Sequence, residues 1–198
     1  MNWKKNSDDE LVKYIIKGEE KAFQTLFERY FFRLCDFAYK FLNNEFQCEE
    51  AVSDVFMNIW LKRDTLKKDI KVKHYLFIAT RNQSISILRK EKEISKNIEN
   101  LTLSETPKVN QTLDEISYRE LENEIEKIVN QLPEQRQIIF RLNRFEGLRY
   151  KEIAKILSIS PNTVQNQMVE AIRHISSKYP KIKSEWELAH IVLTVIIP

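Results

Sequence analysis

The sequence predicts an all-α protein of two helical domains joined by a flexible linker, and three observations support this. Apolar residues recur three and four positions apart along most of the chain, which is the period of a helix packed on one side. The 198 residues include only 2 glycines and 5 prolines, too few for the many tight turns of a sheet-rich fold. A polar stretch without a regular period, residues 93–112, separates two helical regions, residues 1–92 and 113–181.

The N-terminal domain is predicted to contain four helices, over Ser7–Gly18, Glu19–Phe41, Cys48–Leu61 and His74–Lys92. Ser7 is a suitable N-cap for the first helix. The second carries a stripe of aromatic residues, which we expect in the core rather than at a ligand site. A basic loop precedes the fourth helix. Its predicted core side consists of Tyr75, Ile78, Ala79, Ile85 and Leu88.

The third helix has two contrasting faces. Its predicted core face consists of Val52, Val55, Phe56, Ile59 and Trp60, and its predicted solvent face consists of Glu49, Glu50, Ser53, Asp54 and Asn58. An acidic stripe beside a hydrophobic ridge could bind a basic protein surface, although many surface helices look similar.

The C-terminal domain is predicted to begin with an acidic helix over Leu113–Leu132, followed by a helix over Pro133–Phe145. Gly147–Ile175 then predicts two helices joined by a tight turn. Ser160 is a suitable N-cap for the second of these, and Pro161 occupies its first position, where a missing N–H costs nothing. The predicted core positions are Tyr150, Ile153, Ala154 and Leu157, then Val164, Met168, Ala171, Ile172 and Ile175.

The outer face of that last helix begins with five polar residues, Asn162, Thr163, Gln165, Asn166 and Gln167. Asn and Gln side chains can form two hydrogen bonds with one base edge, most naturally adenine, when a helix lies in the major groove. The pattern is therefore typical of a helix-turn-helix motif that binds DNA. The alternative is an ordinary helical hairpin with a polar face.

Charge alternates along the chain although the net charge is only +3. Residues 61–92 contain ten basic and three acidic residues, and residues 133–181 contain nine basic and four acidic ones. Acidic residues outnumber basic ones by nine to four between these two blocks. Two basic blocks indicate two contacts with a polyanion. The alternative is that the charges lie on solvated helix faces.

Several other site types have little support in the sequence. Cys35 and Cys48 lack metal-ligand or redox spacing and are expected to be small buried side chains in a reducing cytoplasm. The three histidines have no partner at ligand spacing, so no metal or cofactor is predicted. The N-terminus lacks an apolar signal core. The apolar tail, residues 182–198, is shorter than a membrane span and is expected either to pack on the preceding domain or to bind a partner.

These segments, in this order, resemble an alternative sigma factor of bacterial RNA polymerase. The motifs are DDELV, EEAVSDVFMNIW and YLFIATRNQSISILRK, then LPEQRQIIFRLNRFEGLRYKEIAKILSIS and NTVQNQMVEAI. The resemblance covers about residues 7–177 and is to the extracytoplasmic-function (ECF) group, in particular its ferric-citrate-transport-type branch.

The resemblance implies a cytoplasmic protein that catalyses no reaction, binds no small-molecule substrate and directs polymerase to promoters. Implied partners are promoter DNA, the β′ clamp helices and β flap of core polymerase, and an anti-sigma factor. The implied polymerase contacts are Glu50, Asp54, Val55, Phe56 and Asn58. The implied −10 contacts are Lys71, Lys73, His74, Arg81, Asn82, Arg89 and Lys90, with Asn82 holding a flipped non-template base. The implied −35 contacts are Arg149, Ser160, Asn162, Thr163, Gln165, Asn166, Gln167 and Arg173.

The sequence departs from the family pattern at several positions. Ser53 and Ser86 stand where glutamine and Asp or Asn are usual, and Ser158 replaces a turn glycine. The glycine replacement costs little if Ser158 is not left-handed. Gln165 and Glu170 stand where Lys or Arg is common, so fewer phosphate contacts are expected there.

Two other functions are compatible with parts of the sequence. The first is a stand-alone helix-turn-helix regulator, which would bind an operator without polymerase. The second is a nuclease using Glu49, Glu50, Asp54 and His74, but these carboxylates lie on one helix without a second cluster to complete a metal site.

Overall fold

The computed structural model describes residues 3–97 and 126–178, with side chains for residues 3–91 and 126–178. Every regular element in these ranges is a helix, which confirms the predicted all-α class. The chain divides into two compact units, residues 1–106 and 107–198. Most of the predicted linker, the start of the helix predicted over Leu113–Leu132 and the apolar tail lie outside the described residues.

Four α-helices and two single-turn 3-10 helices form the described part of the first unit. The α-helices are α1 (Asp8–Ile16), α2 (Glu20–Leu42), α3 (Glu45–Leu61) and α4 (Val72–Asn97), and the 3-10 turns are Trp3–Lys5 and Arg63–Thr65. Helices α2, α3 and α4 pack against one another, and α1 packs mainly on α2.

The start of α1 follows directly from its sequence. The Ser7 hydroxyl accepts a hydrogen bond from the Glu10 backbone N–H (3.3 Å), and the Glu10 carboxylate accepts one from the Ser7 N–H (2.8 Å). This reciprocal capping box confirms the predicted N-cap. Gly18 lies two residues beyond the helix with φ +82°, a conformation that glycine adopts without strain.

An ion pair and a buried hydroxyl attach α1 to α2. Asp8 accepts hydrogen bonds from the Arg29 guanidinium (2.5 Å) and the Tyr30 hydroxyl. Burial, followed by the hydrogen bond to Asp8, raises the pKa of Tyr30. Tyr30 therefore remains a neutral donor at any physiological pH.

The aromatic stripe of α2 lies largely in the core, as the sequence predicts. Phe23 and Phe27 both contact Phe56 of α3, with ring centroids 6.0 and 4.9 Å apart, and Phe23 also contacts Trp60 at 5.1 Å. Phe32 lies outside the predicted stripe, and 75% of its surface is exposed.

Helices α3 and α4 extend beyond their predicted boundaries. Helix α3 begins at Glu45 rather than Cys48, because the Asn44 side chain caps it by accepting a hydrogen bond from the Gln47 N–H (3.1 Å). Helix α4 begins at Val72 and continues to Asn97. Residues 93–97 are therefore helical rather than part of the predicted linker.

The described part of the second unit contains three helices and the helical residues 126–130. The helices are α5 (Glu134–Arg144), α6 (Tyr150–Leu157) and α7 (Pro161–Lys178). Both α5 and α6 pack on α7. Residues 126–130 are held to α5 by Gln137, which donates to the Val129 carbonyl (3.2 Å), and by Arg141, which binds Glu126.

Both thiols are enclosed in the first unit. Cys48 is buried and Cys35 is half-buried. Burial is the main cause that raises the pKa of Cys35 to about 12 and that of Cys48 to about 11. Both remain protonated and therefore poor nucleophiles at neutral pH.

Candidate nucleic-acid interface

The start of α7 forms as predicted. The Ser160 hydroxyl accepts a hydrogen bond from the Thr163 N–H (3.0 Å) and lies 2.8 Å from the Thr163 hydroxyl. Pro161 is the first residue of the helix. The two hydroxyls thus stabilise the end of the helix that would enter a groove first.

The buried side of α7 matches the prediction at every position. Its buried residues are Val164, Met168, Ala171, Ile172 and Ile175. This single apolar stripe fixes the rotation of the helix, so the side chains on the opposite face point away from the domain.

An exposed row runs along the opposite face of α7. Asn162, Asn166, Val169 and Arg173 are spaced by four, three and four residues, and all four are exposed. Sequence patterning missed Val169, because a valine in a helix is normally assigned to the core, but 41% of its surface is exposed. The row combines two amides, one apolar group and one cation.

Two of the side chains that flank this row, Gln167 and Glu170, already have partners within the protein. Gln165 is exposed, but the Gln167 side-chain oxygen accepts a hydrogen bond from Arg136 of α5 (3.1 Å). Glu170 forms an ion pair with Arg173, three residues later on the same helix. Arg149, at the N-cap of α6, is exposed.

The turn between α6 and α7 contains a strained residue. Ser158 ends α6 in the left-handed conformation, with φ +55° and ψ +45°. Replacement of the usual glycine by Ser158 was expected to cost little only if this residue were not left-handed. Because Ser158 is left-handed, the replacement costs stability. The buried side of α6 also differs slightly from the prediction, because Ile156 is buried while Tyr150 and Leu157 are half-buried.

The predicted core side of α4 is wrong. The buried residues are Val72, Leu76, Phe77, Thr80 and Ser84, whereas the five predicted core residues are only partly buried. Two of the buried residues are polar, and the Ser84 hydroxyl donates to the Thr80 carbonyl of its own helix (2.9 Å). Such a bond lets a hydroxyl be buried at little cost, so the true core stripe is not visible as an apolar pattern.

The correction changes which aromatic residue of α4 can reach a ligand. Phe77 is 1% exposed and packs edge-on against Phe37 at 5.1 Å. Tyr75 lies on the face opposite the core stripe. It shares that face with Lys71, Asn82 and Arg89, at helical spacings of four and seven residues. We therefore place Tyr75, and not Phe77, on the same face of α4 as Asn82, about two helical turns before it.

The other predicted −10 residues are distributed around this row. Asn82, Arg89 and Lys90 are exposed. His74 and Arg81, seven residues apart on one flank, are half-buried, as is Lys73.

The candidate polymerase-contact residues of α3 divide into two groups. Glu50 and Asn58 are exposed and Asp54 is half-buried. Val55 and Phe56 are 5% and 1% exposed, so they belong to the core of the unit and cannot form a contact surface in this conformation.

Three apolar residues of α3 that the sequence did not single out are exposed instead, with Phe46 in the first turn 76% exposed. Met57 and Leu61, four residues apart, are 60% and 67% exposed. Helix α3 is also attached to α4, because Asp54 accepts a hydrogen bond from Gln83 (2.7 Å). The exposed face of α3 is therefore a mixed acidic and apolar surface.

Comparison with known families assigns the two units to one kind of protein. The family model for sigma-70 region 2 matches residues 26–94, and the model for sigma-70 region 4 matches residues 122–175, so together they span more than half of the chain. The chain belongs to the sigma-70 family. It is therefore a transcription-initiation factor and not an enzyme.

Relatives place the chain within the ECF group of that family. It is 24% identical over 166 residues to the ECF RNA polymerase sigma factor SigW of Bacillus subtilis, covering 79% of this chain and 88% of the relative. It is 26% identical over 195 residues to the ECF RNA polymerase sigma-E factor of Escherichia coli, covering 87% and 94%.

Solved structures share the fold. CnrH, solved in complex with the cytosolic domain of CnrY, matches with a TM-score of 0.54 and 18% identity over 90% of this chain and 100% of that chain. The sigma factor RpoE of Bartonella quintana, solved with the anti-sigma factor NepR, matches with a TM-score of 0.53 and 22% identity, covering 83% and 99%.

Among the described residues, no helix is both long enough and apolar enough to cross a membrane. No group of three or more His, Cys, Asp or Glu side chains within residues 3–91 and 126–178 could hold a metal ion.

Proposed function

We propose that this sigma factor recognises the −35 element with α7 and the −10 element with α4, while the exposed face of α3 binds the β′ clamp helices of core polymerase. The observation that carries the proposal is the exposed row of α7, which sits opposite a fully apolar core stripe. A helix fixed in this way presents polar side chains to a groove with little freedom to rotate.

At the −35 element, the row supplies three kinds of contact. Asn162 and Asn166 are suited to hydrogen-bond base edges in the major groove, and Val169 is suited to contact a thymine methyl group. Arg149 and Arg173 bind phosphates, as do the donors at Ser160 and Thr163. Gln165 and Gln167 lie beside the row, and Gln167 has one acceptor site already used by Arg136.

At the −10 element, Asn82 holds a flipped non-template base and Tyr75 stacks on it or on a neighbour. The cations that follow the strand are Lys71, Lys73, Arg81, Arg89 and Lys90, and His74 lies on the same flank of α4 as Arg81. Base stacking on one aromatic side chain contributes about 1–3 kcal/mol. Because Phe77 is buried, only Tyr75 of α4 offers this energy, so we expect weak strand opening and dependence on near-ideal promoters.

On polymerase, Glu50, Asp54 and Asn58 bind basic and polar groups, and Met57 and Leu61 supply the apolar part. Val55 and Phe56 support this surface from the core. The second unit contacts the β flap, which is an expectation from the family.

Regulation is proposed to involve an anti-sigma factor in the cytoplasm. Support comes from NepR, named as the anti-sigma factor of a protein with the same fold.

We also propose membership of the ferric-citrate-transport-type branch, on the motifs of the sequence. Expression of ferric-siderophore transport genes should then depend on this chain, and an unchanged profile in a deletion strain under iron limitation would remove the branch assignment.

Run-off transcription with purified core polymerase tests the central proposal. Wild-type chain should start RNA at promoters selected from a randomised library. The double variant Asn162→Ala/Asn166→Ala should lose −35 preference but retain core binding. Binding to duplex DNA without polymerase, with no RNA made in its presence, would favour the stand-alone regulator instead.

A further inference from the structure

The loop between α3 and α4 is fastened to the folded unit near its start. Arg63, in the 3-10 turn at the beginning of loop 62–71, donates a hydrogen bond from Nη1 to the carbonyl oxygen of Trp60 (2.8 Å). Its guanidinium carbon also lies 4.7 Å from the centroid of the Trp60 ring. Arg63 therefore binds the last turn of α3 through both a hydrogen bond and a cation–π contact.

The platform beneath Arg63 is itself well packed. The Trp60 ring contacts the Phe23 ring of α2 at 5.1 Å. On the other side, the Arg63 Nε would lie only 3.9 Å from a Cβ atom at Gly18, so the side chain passes close to the end of α1. Arg63 thus lies between Trp60 at the end of α3 and the turn that follows α1, and it is half-buried although it is an arginine in a basic loop.

The remaining cations of the loop differ from Arg63. Lys62, Lys67, Lys68 and Lys71 are exposed. Lys71 is the last residue of the loop and lies on the same face as Tyr75, Asn82 and Arg89 of α4. Local turns stiffen it, because the Leu66 N–H donates to the Arg63 carbonyl (3.1 Å) and the Ile70 N–H donates to the Lys67 carbonyl (3.1 Å). Arg63 is therefore the point at which a short, turn-rich loop is attached to the rest of the unit.

We infer that Arg63 is a positioning residue: by clamping the start of loop 62–71 onto Trp60, it fixes the loop conformation that decides which base is accepted at the −10 element. This inference rests on the proposed role of α4 in −10 recognition and on what the family resemblance implies for loop 62–71, namely that this basic loop helps to choose the flipped base. An anchored loop accommodates one base better than others, whereas a detached loop can adapt to several and so discriminates less. Arg63 acts through the loop and does not itself bind DNA.

The test uses holoenzyme made from the full chain and bacterial core polymerase. Transcripts are sequenced from a promoter library with randomised −10 positions, for wild type, Arg63→Lys, Arg63→Ala and Lys62→Ala. Arg63→Lys keeps the charge but loses the planar fork and its stacking, so discrimination at the loop-contacted base should fall about fivefold. Lys62→Ala removes a neighbouring charge without the clamp and should weaken binding to all sequences alike.

Each outcome has a distinct meaning. If Arg63→Lys behaves as wild type while Arg63→Ala and Lys62→Ala lose equal affinity, Arg63 is a phosphate contact and the inference is overturned. Unchanged discrimination in both Arg63 variants overturns it too. Preference at the −35 element and thermal stability are followed in parallel, and Arg63→Lys decides the matter if Arg63→Ala unfolds. A wild-type holoenzyme with no −10 base preference would instead overturn the proposed function, and this inference with it.

Discussion

Helices α4 and α7 are both proposed to bind promoter DNA, yet they are built differently. Helix α7 rests on five apolar residues and exposes a continuous row on the other side. Helix α4 buries three apolar residues together with Thr80 and Ser84. The comparison shows that a buried stripe can contain polar residues, here Ser84, whose hydroxyl bonds to its own helix, and Thr80, whose hydroxyl has no partner among the described residues. The exposed face of α4 therefore differs from the face that an apolar pattern predicts.

The largest expected effect separates the two aromatic residues of α4. Phe77→Ala should lower the free energy of unfolding by about 3–5 kcal/mol, because it leaves a cavity in the core of the first unit. Tyr75→Ala is the matched control and should change stability by less than about 1 kcal/mol while reducing promoter opening. Urea denaturation and permanganate footprinting measure the two effects. Equal destabilisation by both variants would contradict the revised orientation of α4.

Substitution of Asn82 tests directly whether the face of α4 opposite its core contacts DNA. Asn82→Ala should reduce transcription about tenfold, since two hydrogen bonds to a flipped base are lost. Affinity for core polymerase should not change, because Asn82 is exposed on α4 and the proposed polymerase contact is on α3. Arg89→Ala, which removes a phosphate contact, should weaken all promoters equally. A parallel fall in core affinity for Asn82→Ala would show that the residue is structural.

The charge of α7 provides a comparison on the other helix. In the proposed −35 complex Glu170 would oppose the phosphate backbone, and in the structure it pairs with Arg173. Glu170→Arg removes the carboxylate, releases Arg173 and adds a cation, so −35 duplex binding at low salt should tighten about fivefold. Glu170→Gln should produce a smaller gain, since it adds no charge. Fluorescence anisotropy over a salt series gives both numbers, and an unchanged affinity for Glu170→Arg would place residue 170 away from the backbone.

Ser158 tests the turn that positions α7. At φ +55° a side chain with a Cβ atom is strained, so Ser158→Gly should stabilise the protein by about 0.5–1 kcal/mol. Ser158→Val should destabilise it, because a β-branched residue tolerates this conformation poorly. Thermal denaturation of the full chain distinguishes them. A lower melting temperature for the glycine variant would mean that the serine side chain contributes a compensating contact.

Local signals in the sequence were sufficient for much of this fold. The Ser7 and Ser160 caps, Pro161 and the five core residues of α7 are all decided by neighbouring residues, and the structure has them as predicted. The beginning of α3 differs from the prediction because Asn44, which precedes the apolar pattern, caps the helix. The core of α4 was missed because the choice among possible stripes depends on three packing partners, α1, α2 and α3, which no short window contains.

The candidate site was harder to predict than the fold. Periodicity alone placed Val55 and Phe56 in the core, correctly, whereas the family resemblance placed them at the polymerase surface. The most recognisable positions of a family include buried residues that support a binding surface as well as exposed residues that contact the partner. Met57, Leu61 and Val169 were missed for the converse reason, since an exposed apolar residue looks like a core residue until its orientation is known.

Substitution of Thr80 should change the free energy of unfolding least, and it tests the two buried polar residues of α4, Thr80 and Ser84. Its hydroxyl oxygen is buried and makes no hydrogen bond with any described residue. Thr80→Val keeps the shape and removes the unpaired group, so stability should remain equal or rise by less than about 1 kcal/mol. Ser84→Ala, by contrast, removes a hydroxyl that donates to the Thr80 carbonyl and should cost about 1 kcal/mol. Urea denaturation measures both variants. If Thr80→Val lowers stability more than Ser84→Ala does, the Thr80 hydroxyl has a hydrogen-bond partner and contributes to the stability of the buried face of α4.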